Sequence, residues 1–191
     1  NANCVILKYS EDESKQIKDY KYSEEINFLV SHEKRNKFIT NLCKKLKGNT
    51  LCLFQLVEKH GDVLYNMMKD DNTYYVHGGT SAEDREQIRE LVNKSNNSII
   101  IASYGTFSTG VNIPNLHNIV FASPSKSRIR VLQSIGRGLR KSNTKNSVLI
   151  YDICDDLTHK AKKNYTLSHF EERINIYNEE SFSYKINTVN I

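Results

Sequence analysis

The sequence predicts an α/β protein, a parallel β-sheet covered on both faces by helices. Three observations carry this. Short continuous apolar runs at residues 50–54, 73–76, 98–102, 117–122 and 147–151 read as strands buried on both faces. Polar segments with helical periodicity separate most of them. Turns rich in glycine and hydroxyls follow several of the strands, at the carboxyl ends where open parallel sheets bind ligands.

Taken in order, residues 1–22 open with Val5-Ile-Leu and then turn acidic at Glu11, Asp12, Glu13 and Asp19. They are expected to be a linker with a short strand, joining a missing upstream domain. Ser23 is placed to cap a helix with Glu24 and Glu25 in its first turn. Lys44, Lys45 and Lys47 lie near its end, and Gly48 terminates it. The stretch Ser31-His-Glu-Lys-Arg-Asn either interrupts this helix or starts a second one through Phe38, Ile39, Leu42 and Leu46.

His60-Gly-Asp-Val-Leu belongs to the helix after the 50–54 strand. His77-Gly78-Gly79 forms the turn after the 73–76 strand. Thr80-x-x-Glu83 is a capping-box pattern ahead of the apolar stripe Ile88, Leu91 and Val92. A helix over about 126–141 follows the 117–122 strand. At ~100° per residue, Gln133, Arg137 and Arg140 share one of its faces, and Leu132, Ile135 and Leu139 fall on the opposite arc. Beyond Asp156, the spacing of Tyr165, Leu167, Phe170, Ile174 and Tyr177 predicts a helix, and 181–191 a terminal strand. The expected division is 1–22 linker, 23–156 α/β domain, and 157–191 C-terminal helical extension.

Composition narrows the class. A length of 191 residues fits one domain with appendages. No apolar run approaches the ~18 residues of a membrane span, so no membrane contact is expected. There is no signal-peptide pattern, and the chain opens on Asn1 rather than Met, so a fragment of a longer protein is expected. Cysteines at 4, 43, 52 and 154 include no CxxC pair. No zinc site or disulfide framework is therefore expected, and a reducing, cytoplasmic setting fits. Asp152, Asp155 and Asp156 read as solvated acids, so no metal site is expected.

The net charge is +5, but its distribution is uneven. After Glu90 the next acid is Asp152, and between them lie Lys94, Lys126, Arg128, Arg130, Arg137, Arg140, Lys141 and Lys145. A long basic segment without acids reads as a polyanion binder. Within it, Ser103-Tyr-Gly-Thr-Phe-Ser-Thr-Gly110-Val-Asn112 is rich in hydroxyls directly after a buried strand. Hydroxyls and backbone N–H groups beside glycine bind phosphate oxygens without needing charge. The chain has no GxxxxGK[ST] and no GxGxxG after a strand, so a self-sufficient ATPase is not expected.

Residues 99–123 followed by Gln133-x-x-Gly136-Arg137-x-x-Arg140 resemble motifs V and VI of superfamily 2 helicases. Leu51-Cys-Leu-Phe54 resembles the motif IV strand, and Tyr75-Val-His77-Gly78-Gly79 the element after it. Together they span about residues 50–156 in the family's order. Gly48-Asn-Thr-Leu, Glu58-Lys-His-Gly61 and the run from Ser103 to Gly110 are similar to UvsW-type phage helicases of recombination and fork remodelling.

This resemblance implies a RecA-like fold, the second of two motor domains. The chain would be the C-terminal motor domain of an ATP-dependent DNA helicase or translocase, with RNA not excluded, acting in recombination, repair or fork and branch remodelling. Its partners would be DNA and the N-terminal RecA-like domain of the same protein. ATP would sit between the two domains, and the missing one would supply the P-loop and hold Mg²⁺, leaving this fragment inactive alone. Arg137 and Arg140 would be arginine fingers, with Gln133 near the γ-phosphate or the attacking water. Gly110, Asn112 and Gly136 would line the nucleotide. Ser103, Tyr104, Thr106, His77 and Gly78 would contact the nucleic-acid backbone. Two departures stand out: many members carry Asp where this chain has Asn112, and the motif V loop is about one residue longer. The alternative is a stand-alone, non-catalytic nucleic-acid-binding module with a helicase-like fold. A small-molecule α/β enzyme is disfavoured because no nucleophile–base pair is visible.

Overall fold

The computed structural model describes residues 1–108, 115–125, 131 and 148–191. Seven described strands form one sheet: β1 (Ala2–Lys8), β2 (Thr50–Phe54), β3 (Thr73–Val76), β4 (Ile99–Ser103), β5 (Asn118–Phe121), β6 (Leu149–Asp156) and β7 (Tyr184–Asn190). Their order is β3-β4-β2-β5-β6-β1-β7, and every neighbouring pair is parallel. All carboxyl ends therefore lie along one rim.

Helices cover both faces. Helices α1 (Glu11–Ile17), α2 (Tyr22–Val30), α3 (Glu33–Lys45) and α4 (Asp62–Met68) pack one layer through Ile17, Leu29, Ile39, Leu64 and Met68 against Cys52, Phe54, Ile101, Val120 and Ile153. Helix α5 (Ala82–Asn93), the short α6 (Tyr104–Ser108) and α7 (Tyr165–Glu179) lie on the other face. There Val92, Tyr104, Phe170 and Tyr177 meet Leu51, Leu53, Ile100, Ile119 and Phe121. Buried apolar area on both faces is the main force holding these layers together.

The stretch expected as a linker is instead built into the sheet. Strand β1 lies between β6 and β7, in register from Ala2↔Ile150 to Lys8↔Asp156 and from Ala2↔Tyr184 to Lys8↔Asn190. Cys4 and Leu7 are fully buried. Helix α1 follows at once, and its capping box is legible as Ser10-x-x-Glu13: the Glu13 N–H donates to Ser10 Oγ at 3.2 Å. Residues 157–191 likewise contribute both α7 and the edge strand β7.

The break at Ser31 starts a second helix. His32 caps α3, its Nδ1 accepting from the Arg35 N–H at 3.2 Å. Helix α2 begins one residue before Ser23, at Tyr22, and Glu24 Oε1 accepts from the N–H of Lys21, its N-cap, at 3.0 Å. Gly48 has φ +89, a left-handed backbone that favours glycine, and a Cβ there would meet His117 Cγ at 2.6 Å. The fully buried Asn49 beside it ties the amino ends of the strands together. Its Nδ2 donates to the carbonyls of Val92, Ser95 and Asn115, and its Oδ1 accepts from the Ser98 N–H.

Strand β6 runs to Asp156, so the acids expected to be solvated lie within it. Asp152 and Asp155 are both 0% exposed. Arg173 Nε donates to Asp152 Oδ2 at 2.7 Å, and the Tyr177 hydroxyl reaches the same oxygen at 2.7 Å. On the opposite face Arg35 grips Asp155 through Nε at 2.8 Å and Nη2 at 3.1 Å, and the Tyr9 hydroxyl donates to Oδ1 at 2.6 Å. Burial works against the charge of each guanidinium, and the facing carboxylate more than offsets it. A buried carboxylate needs such a partner, which is the physical reason these acids are not surface groups.

The expected helix over about 126–141 lies outside the described residues except for Val131, which is helical and 1% exposed. Val131 stands four residues before Ile135, on the arc assigned to the apolar stripe, and it belongs to the core on the α7 side.

Candidate functional site at the carboxyl rim

Four neighbouring strands bring their exits together on the rim: β3 at His77, β4 at Ser103, β2 at Gln55 and β5 at Ala122 to Ser125. Gln133, Gly136, Arg137 and Arg140, together with Gly110 and Asn112, lie outside the described residues. Of the expected site, the structure places His77, Gly78, Ser103, Tyr104 and Thr106.

The turn after β3 is held by its own polar groups. The His77 N–H donates to Thr80 Oγ1 at 3.1 Å, and the Thr80 N–H donates to the His77 carbonyl at 2.9 Å. His77 Nδ1 accepts from the Gly79 N–H at 3.1 Å, so the neutral ring carries its hydrogen on Nε2. Tyr75 meets the imidazole edge-on at 5.0 Å. Arg85 reaches back from α5, its Nη2 donating to the His77 carbonyl at 3.2 Å and standing 3.5 Å from the Gly78 carbonyl. A Cβ built on Gly78 would meet nothing within 4 Å, and its φ lies outside the left-handed region. Nothing inside the described chain therefore requires glycine at this exposed position.

The exit of β4 is tighter. Ser103 Oγ and Thr106 Oγ1 are 2.6 Å apart, and the Thr106 N–H points back to Ser103 Oγ at 3.4 Å. Both residues are buried. Tyr104 departs from expectation. It is 2% exposed, stacks on Phe121 at 6.1 Å, and donates its hydroxyl to the Ser123 carbonyl at 2.8 Å. Its side chain fills the core below the rim, because an aromatic ring following a buried strand finds apolar partners there. Gly78 is exposed and His77 half-buried at the surface, whereas Ser103 and Thr106 shape the loop from below.

Two residues to which the sequence assigned no role, His60 and Ser123, organise the β2 and β5 exits. His60 lies in a π-helical turn, Val57–Gly61, and its Nδ1 is 2.5 Å from Ser123 Oγ. Ser123 Oγ also accepts from the Gln55 N–H at 3.1 Å, and the Ser125 hydroxyl donates to Gln55 Oε1 at 3.0 Å. Arg35 adds a third tie, its Nη1 donating to the Ala122 carbonyl at 2.6 Å. A π-helical turn directly after a motif-bearing strand is the signal that pointed here, and only the backbone reveals it.

A seven-stranded parallel sheet with helices on both faces, its loops gathered at the carboxyl rim, has the RecA-like architecture of helicase C-terminal domains. The chain belongs to the family described as helicase conserved C-terminal domain, whose model matches residues 33–142.

Among its relatives is the ATP-dependent DNA helicase UvsW of Enterobacteria phage T4, 37% identical over 99% of this chain and 40% of that protein. The crystal structure of T4 UvsW superposes with a TM-score of 0.87 at 36% identity, covering all of this chain and 41% of that one. The putative ATP-dependent helicase IRC3 of Saccharomyces cerevisiae is 33% identical over 58% of this chain and 16% of that protein. The C-terminal domain of the DEAD-box protein Dbp5 shares the fold at TM-score 0.58 and 13% identity, over 84% of this chain and 86% of that one. This chain thus spans about two fifths of the T4 helicase's length. Among the described residues, no helix is long and apolar enough to cross a membrane.

Proposed function

We propose that this chain is the C-terminal motor domain of an ATP-dependent DNA helicase or translocase that acts in recombination, repair or fork and branch remodelling. The observation that carries the reading is the family match itself, since residues 33–142 enclose Gln133, Gly136, Arg137 and Arg140. Arg137 and Arg140 act as arginine fingers in a cleft shared with an N-terminal RecA-like domain, which supplies the P-loop and holds Mg²⁺. Their fixed charge offsets negative charge building on the γ-phosphoryl group, a contribution of about 10³–10⁵ in rate in related phosphoryl transfer. Gln133 faces the γ-phosphate or the attacking water, and Gly110, Asn112 and Gly136 line the nucleotide. The protein works in the cytoplasm, that of the host cell if it is phage-borne.

The nucleic-acid backbone runs across His77 and Gly78, with Ser103 and Thr106 setting the neighbouring loop and Tyr104 supporting it from the core. Support comes from the His77 ring, whose Nδ1 is taken by the Gly79 N–H so that Nε2 is the nitrogen left to donate, as a phosphate oxygen requires. The open space above Gly78 also lets a phosphodiester approach the main chain closely. Residues 91–151, which carry no acid, place no repelling charge along the β4 and β5 exits.

The test uses the protein together with its N-terminal half. It should hydrolyse ATP in a DNA-stimulated manner, and Arg137→Ala should lower kcat about 10³-fold or more while leaving ATP binding largely intact. Undiminished hydrolysis in that variant rejects the finger assignment. Failure of DNA to stimulate the unaltered protein rejects the motor reading.

A further inference from the structure

Ser123, His60 and Asn36 stand in the order of a nucleophile, a base and an orienting amide. They are not a hydrolytic site: Ser123 and His60 are 0% exposed and Asn36 is 3% exposed, so no substrate reaches the hydroxyl. The same chain of contacts has a definite direction. Asn36 Nδ2 donates to the Val30 carbonyl at 2.9 Å, which turns its Oδ1 toward His60 Nε2 at 2.9 Å. Oδ1 only accepts, so Nε2 carries the hydrogen, and in a neutral ring that leaves Nδ1 as an acceptor. Ser123 Oγ receives the Gln55 N–H and gives its own hydrogen to Nδ1 at 2.5 Å. The polarity runs from Gln55 through Ser123 and His60 to Asn36 and the end of α2, and each donor strengthens the next.

The local backbone is shaped to deliver this ring. The N–H groups of His60 and Gly61 both donate to the Leu56 carbonyl, at 3.0 and 2.9 Å. That is the widened turn which carries His60 inward. Gly61 permits it, because a Cβ there would lie 2.5 Å from Phe54 Cε2 and 2.6 Å from the Tyr75 hydroxyl oxygen. Asp62 fixes the far side by accepting from the Tyr75 hydroxyl at 2.6 Å.

We propose that His60 is a positioning residue, a neutral imidazole that locks the exits of β2 and β5 into one unit and so sets the origin of the segment carrying Gln133, Arg137 and Arg140. Only nine residues of sequence separate Ser123 from Gln133, with Pro124 beside the anchored hydroxyl the first of them. An origin free to shift would misplace charged groups whose effect depends on sub-ångström aim. The kinetic consequence rests on the motor reading above, whereas the lock itself does not.

Two substitutions separate the ring's two contacts. His60→Asn can keep an acceptor at the Nδ1 position facing Ser123, and His60→Gln can keep only the donor toward Asn36. In the 191-residue chain the imidazole nitrogen spectrum should show an unprotonated Nδ1 and a protonated Nε2. Amide exchange at Gln55 should rise about 10-fold or more in His60→Gln and stay within about 3-fold of the unaltered chain in His60→Asn. In the protein joined to its N-terminal half, kcat should follow the same split with the KM for ATP little changed. The opposite tautomer, a charged ring, or equal behaviour of the two variants overturns the proposal. If the unaltered protein hydrolyses no ATP, the motor reading falls, and the ring and amide measurements still decide the lock. Should either His60 variant fail to fold, Ser123→Ala takes its place: it should raise Gln55 exchange by the same factor, and unchanged exchange overturns the lock.

Discussion

Replacing Arg35 by Met tests how the rim is supported. Met keeps much of the aliphatic volume of a side chain that is 0% exposed, and it removes the guanidinium. Asp155, also 0% exposed, keeps the Tyr9 hydroxyl but loses its two contacts to Arg35, and the Ala122 carbonyl loses the Nη1 donor. Breaking a buried pair from one side costs about 3–5 kcal/mol, because the remaining charge is left uncompensated. The orphaned carbonyl alone would cost about 1–3 kcal/mol, and the two terms overlap rather than add. A loss near the upper end, about 4–5 kcal/mol, is expected. For a domain of this size that lowers Tm by roughly 8–20 °C. Urea unfolding followed by circular dichroism measures it. Adding Asp155→Asn should recover part of the loss, since it removes the stranded charge. The reasoning is refuted if Arg35→Met costs under about 1 kcal/mol, or if the double variant is less stable than the single one.

Other consequences are equally direct. Glu25 accepts the N–H groups of Tyr165 at 3.0 Å and Thr166 at 2.8 Å, acting as a carboxylate cap for α7 from another helix. Glu25→Gln should therefore cost about 1–2 kcal/mol in thermal unfolding. Gly61→Ala should cost about 1–3 kcal/mol, because its Cβ would overlap Phe54 and Tyr75, and it should quench the Tyr75–Asp62 contact seen by hydroxyl proton resonance. Burial tends to raise the Glu13 carboxyl, but hydrogen bonds from His32 and Ser10 outweigh it and hold the group below its usual 4.5. A depressed folded value contributes stability above pH 4.5 that is lost as pH falls through the folded value. Glu13→Gln should lower Tm across the neutral region and flatten the acid limb of a Tm-versus-pH curve, so that the two proteins converge at low pH.

The fold was legible where runs are short, apolar and flanked by turn residues. Strands β2 and β3 match the expected 50–54 and 73–76, and β4 and β5 fall within a residue of expectation. Strand β1 was not legible as part of the sheet. Its partners lie about 150 and 180 residues away, and Val5-Ile-Leu followed by acids looks the same in a linker as in an interior strand. Asp152 and Asp155 misled for a related reason. A carboxylate reads as surface until its partner is known, and Arg35 and Arg173 stand on helices far from it in sequence. The site divided in the same way. His77-Gly78 was visible as a turn, but the His60–Ser123 contact joins residues 63 apart and depends on a π-helical turn that no periodicity marks.

The pairing of the arginines sharpens what the charge pattern means. The chain has eight, at 35, 85, 89, 128, 130, 137, 140 and 173. Arg35 and Arg173 are sealed against Asp155 and Asp152, on opposite faces of β6, where they join the two helical layers to the sheet. Arg89 pairs with Glu86 along α5, and Arg85 holds the carbonyls of the His77 turn. All four are committed to the fold or to local partners. The other four all fall within residues 128–140, inside the stretch from 91 to 151 that contains no carboxylate side chain to neutralise them locally. Under the proposed function these four are the arginines offered to an external anion, although Arg35, whose acid lies 120 residues away, shows that only the partner in space decides such a role. The net charge of +5 averages the arginines that stabilise the domain with those whose proposed role is toward a ligand.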